Sequence, residues 1–443
     1  MFTRLGLRAA TVPGATWNNR GMASSVNPPR GMRDFLPAEK ARREHVLSVI
    51  RSVYRAHGFD EIETPVMEDS SRLHAGLGGD NEKLAFGVLK RGLTAEQLHE
   101  ASDALDLADL GLRFDLTVPL TRFYATHHAA LPTVFRSIQI APVWRAERPQ
   151  KGRYRQFVQC DIDIIGEAGP IAELELLTAT ADTLKALGIE EWSFRLNDRR
   201  ILHALLTYWK VDPADAERVL IALDKEDKIG VQGVVDELAE LGVGDATLIA
   251  GVLLGGQLTG LGGDGWELLA GEAAPAWLDQ GVYRELLQLR AALPGVRVVF
   301  SPILVRGMGY YTGTIFEIAH PSSTSSLGGG GRYDGMVGRF LGTEVPAAGF
   351  SIGFERILDL VQLAETEAAD AVALVYDDGV ALDTLLAIKG ELLAEGRRVR
   401  VERRPRNLKP LLEQLAASGF GQLATVTSAT TSAGELQFRP LEH

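Results

Sequence analysis

Two apolar stretches with strand character enclose a short, strongly basic segment, and that arrangement limits what the chain can build there more than any other. The segment runs Arg145-Ala-Glu-Arg-Pro-Gln-Lys-Gly-Arg-Tyr-Arg-Gln-Phe157, with five cations, one carboxylate and two aromatics in thirteen residues. Val134, Phe135, Ile138, Ile140, Val143 and Trp144 precede or enter it; Phe157, Val158, Ile162, Ile164 and Ile165 follow. A strand, a basic loop and a returning strand suit a polyphosphate that must be gripped and bent, with Lys151-Gly152 at the hairpin tip. Arg145 and Glu147, two apart on a strand, project from one face.

The 443 residues predict two or three domains. A hydrophobic content of 46% and a charged content of 23% are those of a globular protein. No apolar run reaches the roughly 18 residues of a membrane span, so no membrane partner is expected. The single cysteine, Cys160, excludes an intramolecular disulfide framework, fits a reducing compartment and reads as a small buried hydrophobe. A net charge of −12 argues against a general nucleic-acid coat but not against a local basic site. A second basic cluster, Arg397, Arg398, Arg400, Arg403, Arg404, Arg406 and Lys409, is either a phosphate contact or a solvated charged face. Residues 1–33 carry Arg4, Arg8, Arg20, Arg30 and Arg33 with no acid. They read as a disordered arm, as codons upstream of a true start at Met22, or as a transit peptide. Cytoplasmic residence is expected, and mitochondrial if 1–27 is a transit peptide.

Pro28-Pro29-Arg30-Gly31-Met32 marks the entry to ordered structure. A helix is predicted over about 37–57, with Val46, Val49, Ile50, Val53 and Tyr54 at helical spacing and Gly58 ending it. Residues 59–67 alternate as a strand with Pro65 near its end, an edge compatible with a dimer interface. A helix over 170–187 carries Ile171, Leu174, Leu177, Ala181 and Leu184 on one stripe. Residues 200–290 are Leu-rich and helical and read as an inserted module. Strand signals return at 296–304 and 312–319, and a last strand runs into a helix at about 347–363. Beyond a linker at 366–370, strands at 371–376, 398–402 and 420–427 alternate with helices at 382–395 and 407–418, a small α/β domain. The expected division is an arm at 1–27, a core of 28–199 and 291–365, an insert at 200–290 and a terminal domain at 371–443.

Four segments carry chemistry: the basic hairpin, Arg306-Gly-Met-Gly-Tyr-Tyr-Thr-Gly-Thr-Ile-Phe-Glu317, the glycines 328–331 with Arg332, and Gly349-Phe-Ser-Ile-Gly-Phe-Glu-Arg356. Taken singly, the glycine run reads as a turn and the last segment as glycine packing between helix and sheet. No phosphate-binding loop of the Walker type and no Gly-x-Gly-x-x-Gly fingerprint is present. Together the segments resemble the class II aminoacyl-tRNA synthetases and, in detail, the histidyl-tRNA synthetase family. Arg30-Gly-Met-Arg-Asp-Phe-Leu-Pro37 is similar to that family's N-terminal signature, Gly58–Pro65 to motif 1, Trp144–Phe157 to motif 2, Gly349–Arg356 to motif 3 and Arg306–Tyr311 to the histidine-specific motif. The likeness covers about 28–365, with all five segments in the family's order.

The resemblance implies an α+β fold: an antiparallel sheet flanked by helices, with the inserted helical module and a small C-terminal domain of the anticodon-binding kind. It implies a homodimer formed through the strand ending at Pro65. The activity implied is activation of histidine by ATP with Mg2+, followed by transfer to tRNA(His). Joining a carboxylate to a phosphorus brings like charges together, so fixed arginines suit the site. By resemblance Arg145 bridges the histidine carboxylate and the α-phosphate. Arg306 presses the α-phosphate from the other side, where other class II enzymes use a metal, so no protein metal ligands are expected. Arg356 holds the γ-phosphate, Phe157 stacks on adenine and Glu147 accepts from its amino group. Asp115, Thr117 and Gln159 receive the α-ammonium; Asp163, Tyr310 and Tyr311 face the imidazole. Arg153 and Arg155 meet the tRNA acceptor end. Read without the family, Asp115 is a turn cap and Tyr310-Tyr311 are core aromatics.

Two departures stand out. Gly309 replaces the family's usual Asp, and the tail lacks a recognisable closing helix after Phe438. Asp115 and Asp163 also stand where the family often has Glu. Two other readings therefore stay open: a non-catalytic relative that senses histidine as the regulatory subunit of ATP phosphoribosyltransferase, and an enzyme activating histidine for another carrier. Retention of Arg145, Arg153, Arg155, Arg306 and Arg356 favours the ligase.

Overall fold

The computed structural model describes residues 26–75, 84–148, 153–255, 264–266, 274–306, 311–363 and 370–441. Most of the 1–27 arm, the hairpin tip at Lys151-Gly152, Gly309 and Tyr310 lie outside these residues. The strands of the main body are β1 (Asp60–Glu61), β2 (Met67–Asp69), β3 (Phe86–Leu89), β4 (Ala108–Leu112), β5 (Phe135–Trp144), β6 (Gln156–Ile165), β7 (Ser193–Asp198), β8 (Val298–Phe300), β9 (Thr314–Ala319), β10 (Gly328–Arg332) and β11 (Ala347–Gly353). Among the described residues eight of them make one sheet in the order β1-β5-β6-β11-β10-β9-β7-β8. Its interior pairings, from β5 to β7, are antiparallel; β1 and β8 add at the edges in parallel. β2, β4 and β3 form a small antiparallel sheet beside it.

Alternation along β6 divides the two faces of the large sheet. Cys160, Ile162 and Ile164 are fully buried in the main apolar core, with Val46, Ile50 and Tyr54 of helix Pro37–Ala56 and Leu176, Leu177 and Leu184 of helix Ile171–Ala186. Gln159, Asp161 and Asp163 take the opposite face. The first helix has proline in its first turn, and Gly58 closes it as expected, at φ +83°. Of the stripe foreseen on the second helix, Ile171, its first residue, is instead exposed.

Three other expectations are corrected. The strand predicted over 59–67 is broken: it pairs at Asp60–Glu61 with β5 and again only at Met67, the first residue of β2, opposite Leu112. The carbonyls of Thr64 and Pro65 accept from Arg113 Nη1 at 2.8 and 3.3 Å, so these two are held by a side chain, and backbone bonding resumes at the Val66 carbonyl, which accepts from the Arg113 amide at 3.0 Å. The glycine run is no turn: β10 is a buried inner strand paired with β9 and β11. There a Cβ at Gly330 would stand 1.9 Å from the Gly349 carbonyl oxygen, so the strands approach more closely than side chains permit. The strand expected over 296–304 shortens to Val298–Phe300.

Residues 200–290 contain helices Arg199–Tyr208, Ala216–Leu223, Glu226–Leu241, Ala246–Leu253 and Gln280–Ala291. Their buried Leu205, Trp209, Leu238, Val252 and Tyr283 belong to the same continuous core as Phe194 and Phe300 of the sheet. No helix among the described residues is long and apolar enough to cross a membrane.

The C-terminal part adds β12 (Ala371–Tyr376), β13 (Arg398–Arg403), β14 (Gln422–Val426) and β15 (Arg439–Pro440), ordered β13-β12-β14-β15, the last antiparallel. Helices Leu382–Ala394 and Lys409–Ala417 connect the parallel strands. Val372 and Leu374 pack with Leu385 and Ile388, while Ala371 and Ala373 pack with Leu415 and Phe420. Much of the basic cluster is locally engaged: Arg397 pairs with Glu395, Arg403 with Asp378 and Arg404 with Asp377, while Arg398 and Arg400 lie over the Phe420 ring.

Candidate active site

Strand register places a row of polar groups across the open face of the large sheet. Gln139 stands opposite Asp161, Asp161 opposite Ser351, Ser351 opposite Gly329, Gly329 opposite Glu317 and Glu317 opposite Arg195. Only Gly329 lacks a side chain, and the Arg306 guanidinium lies over that gap. It donates from Nε to Glu317 Oε2 at 2.8 Å and from Nη2 to Ser326 Oγ. Glu317 also faces Arg195 at 3.4 Å. Above the row opens a cavity of about 350 Å³.

The cavity gathers nearly every site residue expected from the sequence: Asp115, Thr117, Arg145, Glu147, Arg153, Phe157, Gln159, Asp163, Arg306, Tyr311 and Arg356. Arg155 is not among its lining residues; its Nε donates to the Glu147 carbonyl at 2.9 Å and steadies the hairpin. The strand pairing of that hairpin ends at Trp144–Gln156, so Arg145 and Glu147 sit just past it. Arg145 is aimed by its Nε bond to the Phe114 carbonyl, 2.9 Å, and lies 5.1 Å from the Phe157 ring centre. Arg356 donates to the Ser326 carbonyl, so Ser326 anchors two cavity arginines. Burial, and then the positive charges of Arg306, Arg153 and Arg145, lower the Arg356 pKa. Such crowding of cations calls for a polyanion.

Carboxylates hold the other part of the cavity. Asp163 accepts from the Tyr333 hydroxyl at 2.6 Å, and its second oxygen is buried without a partner. Burial pushes its carboxyl up to about 7; the Tyr333 bond opposes this and the Asp115 charge adds to it. Asp161 is raised as well, first by burial and then by Asp163. Gln159 Nε2 donates to Ser351 Oγ at 3.1 Å, and its Oε1 also lacks a partner. Asp115 Oδ1 accepts from the Val118 amide at 3.1 Å, so the residue is a turn cap and a wall of the cavity at once. Tyr311 is partly buried, and burial raises its hydroxyl pKa. Buried, partly unpaired acceptors of this kind suit a cationic ligand with several N–H donors.

The sequence reading missed Asp161, Tyr154, Ser326, Tyr333, Ser351 and Glu355, all lining residues. Asp161 was within reach, since 159, 161 and 163 share one face by period two. Ser351 and Ser326 depend on strand register and on a loop contact, which local sequence does not carry.

The model of the histidyl-tRNA synthetase family matches residues 31–357. The chain belongs to the histidyl-tRNA synthetase family. It is 62% identical to the histidine–tRNA ligase of Leifsonia xyli subsp. xyli over 95% of its own length and 99% of that protein. It is 44% identical to the probable histidine–tRNA ligase of Tropheryma whipplei strain Twist, covering 89% and 94%. The crystal structure of histidyl-tRNA synthetase from Nostoc sp. PCC 7120 superposes with a TM-score of 0.74 over 94% of this chain and 95% of that one, at 24% identity, a likeness of fold. A synthetase-family core with its sheet, flanking helices and small C-terminal sheet is therefore what the sequence builds.

Proposed function

We propose that this protein is a histidine–tRNA ligase, which activates histidine with ATP to histidyl-adenylate and pyrophosphate and transfers the histidyl group to the 3′ end of tRNA(His). One observation carries the reading: Arg145, Arg306 and Arg356 converge on the same cavity as the buried Asp115, Asp161 and Asp163. A triphosphate suits the first set and an ammonium with an imidazole suits the second. The histidine carboxylate attacks the α-phosphorus and the bond to pyrophosphate breaks. Arg145 and Arg306 offset the charge that gathers on the phosphorus as the bonds exchange, and Arg356 holds the leaving phosphates. Phe157 stacks on adenine and Glu147 accepts from its amino group. Thr117, Gln159 and Asp115 receive the α-ammonium; Asp163 and Tyr311 select the imidazole through its two nitrogens, with Tyr310 assigned beside them. Arg153 and Arg155 are assigned to the acceptor end of the tRNA, Arg155 through the hairpin that its Nε bond to the Glu147 carbonyl steadies.

Mg2+ enters as the counter-ion of ATP. Among the described residues no group of three or more His, Cys, Asp or Glu could hold an ion. Glu317 is already held by Arg306 and Arg195, and Glu355 by Arg43 and Arg33. A homodimer through the 58–65 stretch, a cytoplasmic site of action and an RNA-binding role for 371–443 complete the proposal. The domain limits proposed remain 28–199 with 291–365, 200–290 and 371–443. The retained arginines favour this reading over a histidine sensor.

Histidine-dependent ATP–pyrophosphate exchange, followed by charging of tRNA, tests it. Exchange and charging are expected. No exchange would overturn the enzyme reading, and exchange without charging would point to another acceptor. Arg306→Ala should abolish exchange in a protein that still folds.

A further inference from the structure

The segment before the first helix closes one side of the cavity by contacts that its sequence did not announce. Arg33 Nη2 donates to Glu355 Oε2 at 2.7 Å, and its guanidinium lies 3.8 Å from the Tyr154 ring centre. Two residues earlier, the Gly31 carbonyl accepts from the Arg155 amide at 2.8 Å, and Gly31 turns there with φ +84°. Tyr154 belongs to the returning arm of the basic hairpin; Glu355 precedes Arg356. Both line the cavity. Glu355 has a second, deeper partner: Arg43 grips both its oxygens at 2.7 and 2.6 Å, with both side chains almost wholly buried.

We infer that Arg33 is a positioning residue for the nucleotide end of the site, a strap joining the hairpin arm at Tyr154 to the helix that carries Arg356. The division of labour with Arg43 supports this. Arg43 neutralises Glu355 in the interior, so its loss leaves a buried carboxylate uncompensated and threatens the fold. Arg33 is half-exposed and redundant for that charge. What it alone supplies is a planar cation between Glu355 and the Tyr154 face, which lysine does not reproduce. Without it, what ties the hairpin arm to the N-terminal segment among the described residues is the backbone bond from Arg155 to Gly31. The effect is therefore expected on ATP and not on histidine, whose carboxylates lie on the sheet. The inference rests on the proposed ligase reading.

The experiment compares Arg33→Ala, Arg33→Lys, Tyr154→Ala and the double variant Arg33→Ala/Tyr154→Ala in the full-length protein. Pyrophosphate exchange should show the KM for ATP raised about tenfold by Arg33→Ala, with the KM for histidine unchanged. Lysine should restore little, Tyr154→Ala should match Arg33→Ala, and the double variant should be no worse than either single one. Amide hydrogen exchange over 153–158, which needs no activity, should quicken in Arg33→Ala while the sheet stays protected. Unchanged protection of 153–158, equal losses toward ATP and histidine, or additive effects in the double variant would each overturn the strap. A wild-type protein inactive in exchange would instead sink the ligase reading, and the protection data would still judge the strap.

Discussion

Gly329 leaves the space that the Arg306 guanidinium fills: a Cβ at 329 would stand 2.6 Å from Arg306 Cζ. The atom it meets is the far end of a flexible side chain. Gly329→Ala should therefore leave the sheet standing and push the guanidinium aside. We expect exchange activity to fall about a hundredfold, roughly 3 kcal/mol of transition-state stabilisation, with the melting temperature almost unchanged. Gly330→Ala is the contrast, because its Cβ would meet backbone oxygen at 1.9 Å. That variant should lose about 3 kcal/mol of stability or more, or fail to fold. Melting curves set beside exchange rates separate the two; equal melting temperatures would contradict the assignment.

Glu317 orients Arg306 and stands between it and Arg195. Glu317→Gln keeps the shape and removes the charge that holds the two guanidinium groups together. The kcat of exchange should fall at least about tenfold with the KM for histidine little changed. A variant with wild-type kcat would mean that Arg306 needs no such support.

Asp163 gives the free protein a pH dependence of unusual sign. A carboxyl whose folded pKa is about 7 binds its proton more tightly than the unfolded chain does. Stability from this group therefore falls as pH rises from about 4 to 7 and then levels off, by an amount on the order of a few kcal/mol. Asp161 acts in the same direction. Thermal unfolding between pH 5.5 and 7.5 should show the decline, Asp163→Asn should flatten it, and saturating histidine should oppose it. A wild-type profile with no slope that differs from Asp163→Asn would refute the assignment.

Cys160 lies fully buried behind the sheet, and burial raises its thiol pKa. The native protein should resist iodoacetamide for hours and react fully once unfolded. Prompt native labelling would show that β6 opens far more readily than its burial implies.

The elements that carry their own periodicity were legible in the chain. Helix Pro37–Ala56 shows its spacing and its glycine stop, and strand-like runs at 371–376, 398–402 and 420–427 between helices announce the C-terminal sheet. That Arg145, Arg306 and Arg356 would line one cavity was legible because arginines recur in a recognisable order of motifs. What failed was what depends on neighbours. Gly328–Gly331 reads as a turn because the reason for the glycines is the close approach of β9, β11 and Arg306. Residues 59–67 alternate like a strand, yet Arg113 claims the carbonyls a ladder would need. Arg33 and Glu355, 322 positions apart, become a pair only in the fold.

The apolar core shared by the sheet and the helices of 200–290 bears on how the chain can be cut. Deleting that stretch would strip the cover from Phe194, Leu196, Val298 and Phe300 and leave a wet, sticky sheet. Those helices are part of the wall that keeps the sheet's apolar face dry, so a shortened chain without them should aggregate rather than serve as a minimal catalyst.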